Sequence, residues 1–225
     1  MRKTTIVPGE YYHVFNRGNN KQSIFSDQKD WTRLLFLILY FQSPINFYNI
    51  GRQTSHYVKH SVFNISEDIK KEVVKKRYVE LTGFALMPNH FHLILHELEE
   101  GGISKYMQRL LNAYTKYFNT KYEKIGHLFQ GPYRAVHIKD NEQLLYISTY
   151  IHRNPREIKD WKNREDSYPW SSYQDYIKEN RWGNLLRNDL ISSQFSNKKR
   201  YHEFVKTSPA KSKDILDKDL IIDEE

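Results

Sequence analysis

The sequence predicts an α+β fold, an antiparallel sheet with helices packed on one face, followed by a small C-terminal helical extension. Three observations carry that expectation. Short runs rich in aromatic and β-branched residues alternate with longer runs of helical apolar period. Two of the short runs are joined only through Pro88-Asn89, the length of an antiparallel hairpin link. The chain has 225 residues, which suits one domain plus an appendage and is long enough to bury a proper core.

Taken in order, Tyr11 to Asn16 reads as a strand and Asn16-Arg17-Gly18-Asn19-Asn20 as the turn that ends it. Asp27 to Phe41 reads as a helix capped by Ser26 or Asp27, with Leu34, Leu35, Ile38 and Phe41 on its buried side. Residues 44 to 60, rich in Asn, Ser and Tyr, read as an irregular inserted loop. Ser66 is a candidate N-cap for a short helix that carries Lys70, Lys71, Lys75 and Lys76 on a solvated face. Val79 to Met87 and His90 to Leu98 read as paired strands, which puts His90 and His92 at the start of a central strand.

The longest helix signal runs from about Ile103 to Tyr122. Ile103, Tyr106, Met107, Leu110, Tyr114, Tyr117 and Phe118 fall on one side, and Lys105, Arg109, Asn112 and Lys116 on the other. Tyr133 to Ile138 reads as another strand. A helix from about Asn141 to Asn154 follows, with Leu144, Leu145, Ile147 and Ile151 available for packing and Pro155 ending it. The order strand, helix, strand, strand, helix, strand, helix suits a ferredoxin-like sandwich. Beyond Pro155, Trp161, Tyr168, Trp170, Tyr173, Tyr176 and Trp182 indicate an aromatic-packed extension. The expected divisions are therefore 1–157, with an insertion at about 44–77, a C-terminal extension over 158–208, and a mobile tail over 209–225.

Composition bounds the chemistry. There are no cysteines, so disulfides, thiolate metal sites and cysteine nucleophiles are excluded, and a metal site must use His, Asn, carboxylate or water. The net charge of +8 favours an anionic partner without naming it. The longest apolar run, Leu34 to Phe41, is too short to span a bilayer, and the N-terminus lacks a secretory pattern. A cytoplasmic protein with no membrane partner is expected.

His90-Phe91-His92 is the most informative motif. A strand turns alternate side chains to one face, so both imidazoles can reach one metal ion while Phe91 enters a core. Strand histidine pairs also occur as surface or hydrogen-bonded pairs, and His96 lies on the same face, so a different trio is open. In the helix before Pro155, Tyr150 and Asn154 stand at i and i+4 and share a face, which offers a hydroxyl nucleophile and a neutral ligand together. Tyr146 and Tyr150 have the same spacing, with a packing role favoured for Tyr146. His13 either neighbours the metal strand or packs, and His152 points elsewhere on the helix.

Between residues 101 and 139 seven Lys or Arg stand against one acid, a net +6. A basic stripe near a metal and a tyrosine suits a phosphate backbone, although an ordinary solvated helix face has the same composition. Lys105, Arg109, Lys116 and Arg134 are the candidates there, with Arg17, Asn19 and Asn20 in the first turn.

Four segments carry a family resemblance: Met87-Pro88-Asn89-His90-Phe91-His92-Leu93, Tyr150-Ile151-His152-Arg153-Asn154-Pro155, Tyr12 through Asn20, and Tyr168-Pro169-Trp170-Ser171-Ser172-Tyr173. In matching order, over roughly residues 10 to 205, they resemble the REP-associated tyrosine transposases of the single-tyrosine HUH superfamily. That resemblance implies a ferredoxin-like sheet with the histidines on a central strand and the tyrosine on a helix. It implies Tyr150 as nucleophile and a divalent ion, Mg²⁺ or Mn²⁺, on His90 and His92. Asn154 is carried over as third ligand, at a place where more distant relatives use glutamine. The implied substrate is single-stranded DNA with hairpin-forming palindromic repeats, cleaved and rejoined through a 5′-phosphotyrosine by a monomer or homodimer. The DNA-contact candidates come from the residues themselves: Lys105, Arg109, Lys116 and Arg134 from the basic segment, and Arg17, Asn19 and Asn20 from the first turn, where Gly and Asn also serve the tight turn alone. Two other classes stay open: a domesticated, non-catalytic hairpin-binding protein, and a metal-independent RNA-processing nuclease on a similar scaffold.

Overall fold

Four strands, β1 (Tyr11–Arg17), β2 (Val79–Met87), β3 (His90–Glu97) and β4 (Arg134–Ile138), form one antiparallel sheet in the order β2-β3-β1-β4. The computed structural model of the chain describes residues 5–209. The strand order is that of a ferredoxin-like sheet, with β3 and β1 at its centre. The Pro88-Asn89 link joins β2 to β3 as expected, with Met87 paired to His90.

The helices follow from their caps and stripes. α1 (Gln28–Tyr40) starts at Asp27, whose carboxylate accepts the Asp30 amide, while the Asp30 carboxylate accepts the amides of Ser26 and Asp27. α3 (Glu67–Lys76) is capped by Ser66. α4 (Gly102–Tyr122) carries the apolar stripe read from the sequence, and α5 (Asn141–Arg153) is capped by Asp140. α5 ends at Arg153, and Asn154–Glu157 continues as a 3₁₀ turn around Pro155. Three further helices lie in the extension, α6 (Tyr173–Ile177), α7 (Asp189–Ser192) and α8 (Lys198–Thr207).

Two expectations are corrected. Residues 44 to 60 are not an irregular loop throughout, because Ile50–His60 forms a helix, α2. Gly51, Thr54, Ser55 and Val58 are weak helix formers, and Asn49 supplies no side-chain cap, so local propensity hides this helix. Packing on α1 overrides it: Ile50 and Thr54 are buried, Tyr57 meets Phe36 edge-on at 5.4 Å, and the Tyr40 hydroxyl donates to Gln53 at 2.9 Å.

The second correction concerns the layers. Helices cover both faces of the sheet, not one. Tyr12, Val14, Phe84, Leu86, Phe91, Leu93 and Leu95 face a core shared with α1 and α4. Ala85, Ile94 and Ile138 face a second core shared with α5, α6 and α8. An apolar stripe requires a helix to be buried but does not choose the side of the sheet. The unbroken burial of all nine residues of β2 records the two-sided cover.

The extension is built onto β2. The Leu86 amide donates to the Trp170 carbonyl at 2.8 Å and the Ser172 amide to the Phe84 carbonyl at 2.9 Å, so residues 170 to 172 lie along the outer edge of that strand. Apart from Pro209, the tail expected over 209–225 lies outside the described residues. Among the described residues no helix is long and apolar enough to cross a membrane.

Candidate active site

Strand alternation and register bring the histidines together. In the antiparallel pair of β1 with β3, Arg17 stands opposite His90, Phe15 opposite His92, and His13 opposite Ile94. Opposed residues share a face, so Arg17, His90, Phe15, His92 and His13 all point to the side that α5 covers. Phe91 points into the other core. The rings of His90 and His92 lie 5.0 Å apart and nearly perpendicular.

The α5 helix delivers Tyr150 onto this face. Its ring meets His92 edge-on at 5.5 Å and 88°, and His13 at 6.1 Å and 72°. Tyr150 is buried, with 1 % of its surface exposed, and His90, His92 and Asn154 are buried with it. One turn further on, the Asn154 Nδ2 donates to the Tyr150 carbonyl at 3.0 Å, which orients the amide and leaves Oδ1 as its ligand-type atom. Tyr146 is half-buried and packs with the second core.

Two contacts fix the histidines. The His90 Nδ1 lies 2.7 Å from the Asn89 Oδ1, and the Asn89 Nδ2 donates to the Lys21 carbonyl at 3.2 Å. An amide oxygen only accepts, so His90 carries a proton on Nδ1, and in its neutral form the lone pair lies on Nε2. The His92 Nδ1 lies 2.9 Å from the His13 Nε2, with both residues fully buried. Sequence reasoning missed Asn89 as a partner and left His13 undecided. Asn89 sits beside His90 in the hairpin link, which is the signal that was available, whereas the His13 contact depends on β1 lying next to β3.

Other histidines serve the fold. His96 stands four residues along β3 from His92, about 13 Å at strand spacing, where Glu80 accepts from or pairs with its Nδ1 at 3.0 Å and Tyr11 stacks on it at 4.3 Å. The alternative trio is therefore not assembled. His152 is fully buried; its Nδ1 is hydrogen-bonded to the Tyr201 hydroxyl at 2.7 Å and its Nε2 to the Ser172 hydroxyl at 2.8 Å. Burial pushes its pKa down to about 3, so the imidazole is neutral.

The candidate DNA contacts divide between the two sides of the sheet. Arg17 and Arg134 sit on the histidine face, since Arg134 stands opposite Phe15. Arg17 Nε donates to Gln130 at 3.1 Å. Around them the first turn, the hairpin link and residues 128 to 130 are stitched together: Gly18 donates to Asn89, Asn19 to Leu128, Ile24 to Pro88 and Gln130 to Arg17. Gly18 is required there by close approach, since a Cβ would meet the Gln22 carbonyl oxygen at 2.2 Å. The residues of positive φ are instead Asn20 and Lys21, and Asn20 is exposed.

Lys105, Arg109 and Lys116 lie on α4, which packs against the opposite face. Lys105 pairs with Glu99 at 2.8 Å. Arg109 donates to the carbonyls of Ser43 and Ile45 and lies over the Phe41 ring at 4.0 Å. Lys116 is exposed. The stripe is not continuous with the histidine cluster.

Among the described residues no three His, Cys, Asp or Glu side chains form a complete ligand group. The donor atoms on the histidine face that could hold a metal, completed by solvent, are His90 Nε2, His92 Nε2 and Asn154 Oδ1. Two imidazoles and a carboxamide oxygen fit a divalent ion that accepts nitrogen donors, such as Mn²⁺, better than Mg²⁺, which prefers oxygen and water.

Comparison with known proteins gives the family. No curated protein sequence matches the chain significantly. Among solved structures, a REP-associated tyrosine transposase bound to a REP hairpin is similar in fold, with 14% sequence identity, a TM-score of 0.52, and coverage of 79% of this chain and 84% of that one. The family model described as transposase, IS200-like, matches residues 7–154. That span takes in all four strands, both histidines, Tyr150 and Asn154, and the chain belongs to the IS200-like transposase family.

Proposed function

We propose that this chain cleaves and rejoins single-stranded DNA at hairpin-forming repeats, with Tyr150 as nucleophile. The observation that carries the reading is the edge-on packing of Tyr150 against His92, 5.5 Å away, with His90 a further 5.0 Å along the same face. A REP hairpin is what the similar solved transposase binds, and the same class of DNA is proposed here.

In the first step the Tyr150 hydroxyl oxygen attacks the scissile phosphorus. A bond forms between that oxygen and phosphorus, the bond to the 3′ oxygen breaks, the tyrosine proton leaves to solvent, and the 3′ oxygen gains a proton. The product is a 5′-phosphotyrosine and a free 3′-hydroxyl. Attack by a 3′-hydroxyl reverses the step and restores the phosphodiester without ATP. A divalent ion on His90, His92 and Asn154 supplies charge stabilisation to the phosphoryl oxygens when bound. The Asn154 amide holds the last turn of α5 against the Tyr150 carbonyl. Arg17 and Arg134, with Asn19 and Asn20 in the adjoining turn, line the approach on the same side and would neutralise backbone phosphates.

The second reading, a hairpin-binding protein that does not cut, is favoured by one observation, the 1 % exposure of Tyr150. One experiment separates the two. Wild type and Tyr150→Phe are incubated with 5′- and 3′-labelled single-stranded hairpins taken from inverted repeats flanking the gene, with Mn²⁺ or EDTA, and resolved on denaturing gels. A Mn²⁺-dependent adduct carrying the downstream fragment, absent in Tyr150→Phe, is expected. Hairpin binding without adduct or cleavage under any divalent ion overturns the enzyme reading and leaves the binding one.

A further inference from the structure

We infer that His13 is a positioning residue for the metal site: it accepts the Nδ1 proton of His92 and so fixes His92 in the tautomer that offers Nε2 as a ligand. The inference rests on the metal reading above and adds a residue outside the ligand set.

The geometry carries it. His13 and His92 are diagonal neighbours across β1 and β3, on the face that α5 covers. Their facing nitrogens are 2.9 Å apart, their rings lie 5.1 Å apart with planes 21° from parallel, and both side chains are fully buried. Two neutral imidazoles at that distance share one proton, so one nitrogen donates and the other accepts. If His13 donated, neutral His92 would hold its own proton on Nε2 and could not ligate through it. If His13 accepts, His92 is protonated on Nδ1 and its Nε2 lone pair is available. Only the second arrangement matches His90, which Asn89 already holds with its proton on Nδ1. A ligating histidine whose second nitrogen is held by an oriented acceptor is a common way to fix ring angle and raise basicity. The acceptor here is another imidazole, and it also touches the nucleophile, with the His13 and Tyr150 rings 6.1 Å apart.

The test measures Mn²⁺ binding by the full-length protein without DNA, from the electron paramagnetic resonance of the unbound ion. Wild type, His13→Leu, His13→Gln and His90→Ala are compared, and thermal melts of the metal-free proteins report folding. His13→Leu removes the acceptor and is expected to weaken Mn²⁺ binding by about 10- to 100-fold. His13→Gln places an amide oxygen near the position of the imidazole Nε2 and is expected to return affinity to within a few-fold of wild type. Unchanged affinity in His13→Leu, or equal losses in Leu and Gln variants that both fold, overturns the assignment. If His90→Ala binds Mn²⁺ like wild type, the metal reading fails and takes this inference with it. If His90→Ala loses binding while His13→Leu keeps it, only the role of His13 falls. Should His13→Leu fail to melt cooperatively, imidazole ¹⁵N shifts of wild type loaded with diamagnetic Zn²⁺ decide. A proton on His92 Nδ1 supports the assignment, and a proton on Nε2 overturns it.

Discussion

The Asn154 side-chain amide donates to the backbone carbonyl of Tyr150 at 3.0 Å, one turn before it. One residue thereby closes the end of α5 beneath Tyr150, the proposed nucleophile, and turns its own Oδ1 away from that bond. Asn154→Ala loses the hydrogen bond to the Tyr150 carbonyl, worth about 1 kcal/mol of stability. Its larger expected effect is on chemistry, a fall in Mn²⁺-dependent cleavage of about 100-fold or more, with hairpin affinity unchanged. Single-turnover cleavage and urea denaturation of the same variant check the two parts.

The division of the basic residues between two faces makes a salt-dependence prediction. Arg17→Ala and Arg134→Ala are each expected to reduce the slope of log affinity against log salt for hairpin DNA by about 1. Lys116→Ala, on the far side of the sheet, is expected to leave it unchanged. Arg109→Ala is expected to act on folding instead, costing roughly 2 kcal/mol through its lost bonds to Ser43 and Ile45. Fluorescence anisotropy at several salt concentrations, with a melt of each variant, tests all four.

His152 joins α5 to the C-terminal extension through the hydroxyls of Tyr201 and Ser172. His152→Leu strips the imidazole from both hydroxyls in a buried setting and is expected to destabilise the fold by about 2 kcal/mol. Tyr201→Phe removes a hydroxyl bonded to His152 and to Ser148 and is expected to cost about 1–2 kcal/mol. A double-mutant cycle on urea midpoints should give a sum larger than the double variant's loss, because the two changes share one contact.

Asp30 predicts a pH dependence. Burial alone would raise its carboxyl, but the Lys121 ammonium, the Ser26 amide and the hydroxyls of Tyr122 and Tyr117 outweigh that and hold it below the ordinary carboxylate range. The folded state then binds fewer protons than the unfolded state as acid is added. The stabilisation is present above about pH 4 and is lost as the pH falls through the depressed folded value. Urea midpoints of wild type should drop across that window more steeply than those of Asp30→Asn.

Much of this was legible because it is local. The two-residue period of a strand puts His90 and His92 on one side, and i,i+4 spacing puts Tyr150 and Asn154 together, whatever surrounds them. Caps at Asp27, Ser66 and Asp140 mark helix starts by side-chain chemistry alone. What was not legible depends on partners distant in sequence. α2 exists through packing on α1 against its own propensity. Arg109 reads as a surface cation until the carbonyls of Ser43 and Ile45 are beside it. The pairing of His13 with His92 requires the strand order, and the side of the sheet chosen by α4 requires the whole topology.

Burial of Tyr150 has a consequence for selectivity. Tyr150 has 1 % of its surface exposed, so the cleavage proposed above requires part of α5 or its cover to shift before the hydroxyl meets a phosphodiester. That shift is an entry toll, and a strand that engages only the open form has its affinity lowered by the fraction of molecules already open. DNA that fits well draws the toll from its own binding energy, and DNA that fits poorly does not. On the proposed reading the same contacts count twice, in retaining the right strand and in unlocking the hydroxyl, while an arbitrary strand drifts past a sheathed blade.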